Sequence, residues 1–371
     1  MKEEISSLKG KLSHLASNPK ISRGRLHTET IDPTRTPFQR DRDRIIHSSA
    51  FRRLKYKTQV FVYYEGDHFR TRLTHSLEVS QIARSVARVL KLNEDLCEVL
   101  SLAHDLGHTP FGHAGETALS SCLNSDVFDH NVQSLRILIL LEDTYNDQKG
   151  LNLSLNCIDG LLKHNGPLNN CDVIKNQLPE IFDYGISFKN SGSLEAQISS
   201  LSDDIAYNCH DIDDGLRAEL FDIEDLFELK YLKKVFNNKN KINKKEVVRK
   251  LLNMLVTDLI ENSRDKINAE KIKNIDDVYN RNFNIINFSN DVIIGLDEIR
   301  NFLKIKMYNH NSIKKWNTNS EEIIKQLFLY FKNNIKKIPN FNKNFSEDRN
   351  ISDYISGMTD KFALNVYNSI K

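Results

Sequence analysis

The sequence predicts an all-α fold, and three observations carry that expectation. Glycine and proline are scarce, 14 and 7 of 371 residues, so the chain has little of the turn punctuation that a many-stranded fold needs. Strand-like alternating runs are few. Several segments instead repeat apolar residues at three- and four-residue spacings, the mark of amphipathic helices.

Residues 1 to about 50 are polar and Arg-rich, with poor periodicity until Ile45 and Ile46, and read as an arm that becomes a helix. From Leu73 the spacing of Leu73, Leu77, Ala83, Val86, Ala87 and Leu90 predicts a helix with His75 in its first turn. The next helix, DLCEVLSLAHDLG, should bury Leu96, Val99, Leu100 and Ala103 and stop at Gly107 and Pro110, which puts His104 and Asp105 at its end. Asn131 to Leu141 reads as another helix. In SLEAQISSLSDDIAYNCHDIDDGLRAEL an apolar stripe runs through Leu194, Ile198, Leu201, Ile205, Ile212 and Leu216, with Asp203, Tyr207 and Asp211 at i, i+4 and i+8 on another side. Asp213 and Asp214 are expected on a solvated face. Beyond about residue 228 the Lys/Asn-rich stretch KYLKKVFNNKNKINKKEVVRK reads as a surface linker or helix end before a C-terminal helical half.

Composition narrows the function class. Lys+Arg of 52 against Asp+Glu of 50 leaves a formal net charge of +2, so global charge nominates neither a nucleic-acid nor a membrane partner. The five cysteines, Cys97, Cys122, Cys157, Cys171 and Cys209, contain no C-x-x-C, which argues against a disulfide framework and a zinc knuckle and fits a reducing compartment. With no signal-like apolar run at the N-terminus and no stretch of membrane-spanning length, the expectation is a cytoplasmic protein with no membrane partner.

Seven of the twelve histidines (His68, His75, His104, His108, His113, His130, His164) fall within about a quarter of the chain. A lone histidine on an amphipathic helix is more often a core residue than a ligand, but these keep company. His104-Asp105 at a helix end, a helical His upstream and a helical Asp downstream form a mixed imidazole and carboxylate set, suited to a catalytic Mn, Fe, Mg or Zn ion with positions left for water and phosphate. A cation so held lowers the pKa of bound water, which is phosphohydrolase chemistry.

The stretches FRRLKYKTQVF, TRLTHSLEVSQIAR, LAHDLGHTPFGHAGE, FDHNVQSLRIL, LLKHNGP, SLEAQISSLSDDIAYNCHDIDDGL and DYISGMTD carry a resemblance. Through them the chain resembles the HD superfamily, and more closely the bacterial deoxyguanosine triphosphate triphosphohydrolase-like family. A bare HD dipeptide is common by chance, whereas HDLGHTPFGHAGE followed by DDIAYNCHDIDD is specific. The resemblance implies His75, His104, Asp105 and Asp203 as metal ligands, with Asp204 the competing choice for the last place; adjacent residues differ by about 100° around a helix, so only one of the two can point at the ion. It places Tyr207 on the deoxyribose, Asp211 as acceptor from the 3′-hydroxyl, and Gln59 at the sugar. It also puts Arg72 on the triphosphate, with Arg52, Arg53 and Lys163 as second choices for the added positive charge. The animal members of the family carry Lys directly after the last ligand, where this chain has Asp204, so a phosphate contact from that position is in doubt.

Cleavage at the α-phosphorus expels a 5′-alkoxide that benefits from a proton donor. His113, three residues before Glu116 on one helical face, is the expected general acid, with Glu116 its orienting partner and His108 near phosphate. The expected protein therefore has an N-terminal arm (1–59), an HD catalytic helical core (60–217) and an additional C-terminal helical region (218–371). It hydrolyses deoxynucleoside triphosphates with Mn2+ or Mg2+, Fe and Zn remaining open. By resemblance it is a homo-oligomer, commonly a hexamer, with nucleotide or single-stranded DNA effectors left open. An HD phosphodiesterase or nucleotidase, and a nucleic-acid-binding regulator with a vestigial metal site, are the alternatives.

Overall fold

A computed structural model describes residues 12–60, 69–124, 126–143, 149–236 and 243–370. His68, part of the histidine cluster, lies outside the described residues, as do the first eleven residues of the arm and 237–242 of the Lys/Asn-rich stretch.

The chain is all-α. After the arm, α1 (Pro37–His47) and α2 (Ser49–Arg53) lead into α3 (Arg72–Val89), α4 (Glu94–Ala103), α5 (Gly112–Cys122) and α6 (His130–Arg136). Then come α7 (Leu155–Leu162), α8 (Asp172–Gln177) and the long α9 (Leu194–Arg217). The second half holds α10 (Ile223–Phe227), α11 (Lys230–Phe236), α12 (Lys244–Ala269), α13 (Ile275–Tyr279), α14 (Asn290–Leu303), α15 (Asn311–Asn333), α16 (Glu347–Ser356) and α17 (Asp360–Ile370). Among the described residues extended pairing is limited to two isolated bridges, Arg25 with Ser154 and Thr58 with Thr71.

Local chemistry sets the boundaries. The arm turns helical earlier than apolar periodicity alone suggests, because Thr36 and Gln39 form a reciprocal capping box around Pro37 at the first helical position. The arm is tied down. Ser17 donates from its backbone N and its Oγ to the Glu195 carboxylate at 2.8 and 2.9 Å, and Arg25 pairs with buried Asp41. Asp129 caps α6 by accepting from the backbone N of Asn131 and Val132, and the helix continues as a wider π turn over Ile137–Leu141.

Packing follows the stripes. Leu194, Ile198, Ile205, Ile212 and Leu216 of α9 are at most 1% exposed and join α3, α12 and α14 in one apolar cluster. Each such fully buried aliphatic contributes about 1.5–3 kcal/mol relative to exposure. A second cluster gathers α1, α4, α6 and α7, and a third joins α5 to α15, α16 and α17. α4 thus packs between α3, α9 and α1, with Leu96, Val99, Leu100 and Ala103 buried.

Three expectations need correction. Leu77, assigned to the apolar face of α3, is half exposed. Asp214, expected on a solvated face, is buried and receives Arg70 Nη1 at 2.7 Å. The stretch after residue 228 is helical on both sides of residues 237–242, and Leu232, Phe236 and Val247 are buried in the first cluster.

Candidate active site

Helix ends assemble the site. Thr71 caps α3 in a box with Thr74, so the helix starts with Arg72 and presents His75 one turn in. α4 ends at Ala103, and the chain turns through His104, Asp105 and Gly107 into the Pro110–Gly112 corner, where Phe111 and Gly112 take positive φ (64° and 59°). Asp203 comes from the middle of α9. The turn is held by Ser134, whose Oγ donates to the His104 carbonyl and accepts from Gly107 N, both at 2.8 Å. Gly107 is needed there: a Cβ would lie 2.1 Å from the His130 carbonyl oxygen.

His75, His104, Asp105 and Asp203 meet at the floor of a cavity of about 410 Å³. His75 Nε2 is 2.8 Å from Asp203 Oδ1, and His104 Nε2 is 3.5 Å from both Asp105 Oδ1 and Asp203 Oδ1. His104 Nδ1 lies 2.7 Å from the Ser101 carbonyl, which can only accept, so the proton sits on Nδ1 and the buried Nε2, without a hydrogen-bond partner, faces the cluster. His75, His104 and Asp105 offer ligand atoms within 4.8 Å of one another. An orphaned imidazole nitrogen among carboxylate oxygens fits a divalent cation. Asp204 does not take part, since its carboxylate is held by Arg300 at 2.5 Å.

Electrostatics sharpen the cluster. Burial opposes charge on His104, but Asp105 and Asp203 outweigh it and push the imidazole up to about 9. Burial works equally against the Asp105 carboxylate, yet Arg72, with Nη1 at 3.0 Å from Oδ2, and His104 hold it well below the usual range. Asp203 is held low against burial by His104, His164 and His75.

A guanidinium and two imidazoles share one part of the lining. Arg72, His108 and His113 line the cavity. His108 Nε2 is 3.2 Å from Asp105 Oδ1, its ring stacks on His130 at 4.0 Å, and burial, Arg72 and His130 hold it well below its ordinary value. His113 is largely exposed at the mouth, with Nδ1 at 3.4 Å from Glu116 Oε2. Glu116 is closer to His130, whose Nδ1 lies 2.9 Å from Oε1 and whose backbone N donates to the same oxygen at 3.0 Å. Glu116 therefore sits behind this part of the lining between two imidazoles.

Tyr207 and Tyr308, nearly parallel with ring centres 6.3 Å apart, also line the cavity, as do Ile313 and Trp316 of α15 and, next to Gly112, Thr58 and Gln59. Asp211 lies behind the tyrosines and accepts from the Tyr308 hydroxyl in a short hydrogen bond; burial pushes its carboxyl up to about 7. Lys163 is not brought to the cavity. Its ammonium is buried 2.6 Å from Asp159 Oδ1. Arg52 folds back onto the His47 carbonyl, and Arg53 faces Glu142 at 3.8 Å.

The fold also brings here several residues that no motif role marks in the sequence. His130 and His164 were visible in the histidine cluster; His164 stacks on His104 at 5.3 Å and lies 3.5 Å from Asp203 Oδ2. Tyr308, Ile313 and Trp316 come from the second half and carry no sequence signal. Asp360, in DYISGMTD, accepts from Thr58 N and Phe111 N at 2.9 and 3.0 Å and so fixes two sides of the rim.

Residues 72–206 match the HD domain and residues 286–369 the phosphohydrolase-associated domain. Similar proteins include the deoxyguanosinetriphosphate triphosphohydrolase-like protein of Pelagibacter ubique (strain HTCC1062), 50% identical over 360 residues that cover 94% of this chain and 97% of that one. The protein of the same description from Rickettsia felis (strain ATCC VR-1525 / URRWXCal2) is 45% identical over 376 residues, covering 97% and 98%. That from Rickettsia prowazekii (strain Madrid E) is 44% identical over 376 residues, again covering 97% and 98%. No helix among the described residues is long and apolar enough to cross a membrane, and all five cysteines are free. With both domains in order and relatives matched nearly end to end, the chain belongs to the deoxyguanosinetriphosphate triphosphohydrolase-like family of HD-domain phosphohydrolases.

Proposed function

We propose that the protein hydrolyses deoxynucleoside triphosphates at the α-phosphorus, releasing deoxynucleoside and inorganic triphosphate, with a divalent metal ion as cofactor. One observation carries the reading. A His/His/Asp/Asp cluster, a guanidinium and a pair of parallel tyrosine rings all open onto the same cavity, whose volume of about 410 Å³ suits a small charged ligand.

His75, His104, Asp105 and Asp203 would hold the ion; their nitrogen and carboxylate donors, without thiolate, suit Mn2+ or Mg2+ and leave Fe and Zn open. Bound there, a divalent cation supplies water of lowered pKa and Lewis-acid stabilisation of phosphoryl charge. Arg72 orients Asp105 and sets a fixed positive charge beside the phosphates. His108, kept neutral by its surroundings, serves as a hydrogen-bonding group there. His113 at the mouth gives a proton to the departing 5′-oxygen, a contribution of roughly 10²–10⁴ in rate for a positioned acid. Glu116 orients it and is shared with His130. Tyr207, with Tyr308 beside it, forms the sugar platform, and Gln59, on the lining of the same cavity, contacts the sugar. In this geometry Asp211 acts through the Tyr308 hydroxyl, so its contact with a 3′-hydroxyl requires that hydrogen bond to be shared.

The test is product identity. Protein stripped with a chelator and reloaded with Mn2+ or Mg2+ is incubated with each of the four nucleotides in turn, and the products are separated by anion exchange. Deoxynucleoside and intact triphosphate, formed only with metal, are expected. Pyrophosphate or monophosphate as the released anion would assign cleavage to a different bond and overturn the reading.

A further inference from the structure

His210 is used by nothing above, yet it is buried in direct contact with the metal cluster. It follows Asp203 at i+7 and Tyr207 at i+3 on one face of α9 and meets α3 between His75 and Glu78, which are three residues apart. His75 Nδ1 and His210 Nδ1 are 3.4 Å apart, with the rings edge to face at 5.6 Å. On its far side His210 Nε2 is 3.2 Å from Glu78 Oε2. Glu78 is anchored in turn by Arg70 Nε at 3.0 Å, and Arg70 Nη1 reaches Asp213 and Asp214 at 3.0 and 2.7 Å.

The two ends of this chain compete for the His75 proton: the Asp203 carboxylate favours it on Nε2, and the Glu78 carboxylate, acting through His210, favours it on Nδ1. An ionised carboxylate only accepts, so His210 Nε2 carries the proton that Glu78 receives. In the neutral ring His210 Nδ1 is then bare and accepts, which favours the proton between the two histidines on His75 Nδ1. That leaves a lone pair on His75 Nε2, 2.8 Å from the Asp203 oxygen. Two lone-pair atoms at that separation repel unless a cation lies beside them. In the opposite tautomer Nε2 would carry hydrogen and donate to Asp203, and could not coordinate.

We infer that His210 is a positioning residue: with Glu78 it fixes the tautomer and ring orientation of His75 so that Nε2 is presented to a divalent cation. This rests on the reading of His75 as a ligand. Outer partners of ligating histidines are usually a carboxylate, carbonyl or water. Here an imidazole is interposed, and it carries the influence of a surface-reaching carboxylate, with 43% of its side chain exposed, to the buried site.

The test compares full-length His210→Leu, His210→Asn and Glu78→Ala with wild type by Mn2+ binding to metal-free protein, followed by electron paramagnetic resonance, with helical content measured alongside. His210→Leu keeps bulk but removes the acceptor and should weaken Mn2+ binding 10–100-fold, the usual cost of losing an outer partner. His210→Asn offers an oxygen near the Nδ1 position and should restore most of the affinity. Glu78→Ala should weaken binding in the same direction by less. Histidine-selective ¹⁵N spectra of the Zn2+-loaded wild type should show His75 protonated at Nδ1 and metal-bound at Nε2.

Wild-type Mn2+ affinity in both His210→Leu and Glu78→Ala, or an Asn variant as weak as Leu, would overturn the inference. So would an Nε2-protonated His75. Should His210→Leu fail to fold, the part-exposed Glu78 variant and the spectra still decide. A wild type that binds no Mn2+ would remove the ligand reading and the relay together. One that binds Mn2+ but cleaves no nucleotide would remove the proposed reaction alone, and the variant affinities would judge the relay independently.

Discussion

His104 meets two opposed demands. Buried among Asp105 and Asp203, its imidazole is pushed up to about 9 in the metal-free chain, so at neutral pH it carries a second proton, on Nε2, besides the one Nδ1 gives to Ser101 O. A ligand must give that proton up. The sign follows directly: the metal competes with the proton at every pH below about 9, so apparent affinity should rise with pH by about tenfold per unit and level off above that value. At pH 7, Mn2+ binding should release about one proton from this residue. Calorimetry in two buffers of different ionisation heat measures it. Binding with no buffer-dependent heat at pH 7 would show that no protonated ligand is displaced and would remove His104 from the set. Two carboxylates beside a buried imidazole thus hold a positive charge in place until a stronger cation arrives.

At the scale of elements, the α4-to-α5 turn is closely packed, because α6 lies directly on it. A methyl group at Gly107 would stand 2.1 Å from His130 O and 2.3 Å from Ser134 N, both backbone atoms of α6 that a rotamer change cannot move. Gly107→Ala should therefore push α6 outward, cost about 1–3 kcal/mol in denaturant unfolding and separate the stacked His108 and His130 rings. Unchanged stability would show that the turn can relax. The reason for this glycine was only half legible: HDLG marks a helix stop in the sequence, but the neighbour that excludes a side chain is 23 residues away. The same limit runs through the site. His104, Asp105, His108 and His113 could be read together because one continuous stretch carries them, and Asp203 with Tyr207 because one helix face does. That Glu116 lies nearer His130 than His113, that Arg70 reaches Asp214, and that His210 touches His75 depend on which helices cross, and no spacing within a helix encodes that.

At the scale of the molecule, the second half is an integral wall of the cavity. α15 supplies Ile313 and Trp316, and α16 is stitched to the first half by Arg136 with Asp353 at 2.5 Å, Arg349 with Asp126, and Lys57 Nζ donating to the Ser356 carbonyl at 2.8 Å. DYISGMTD was legible as one of the stretches that carry the family resemblance, but its purpose was not, since its partners lie some 200 to 300 residues earlier. Asp360 is the clearest case. Fully buried at the start of α17, it accepts from Thr58 N and Phe111 N, which flank the cavity from two different segments. Asp360→Ala strands both donors at roughly 1–3 kcal/mol each. Asp360→Asn keeps the volume and one acceptor oxygen, turns an N–H₂ toward the other donor, and should lose less. Because Asp360 makes no hydrogen bond to His75, His104, Asp105 or Asp203, both variants that fold should retain metal. Their loss should fall on the rim, where Gln59 and Phe111 line the cavity, and so, on the proposed reaction, raise KM more than it lowers kcat. Denaturant unfolding, metal content and steady-state kinetics on the two variants measure these together. An alanine variant as stable as wild type would mean that the two backbone donors find other partners, and metal lost along with stability would mean that the rim and the metal floor unfold as one unit.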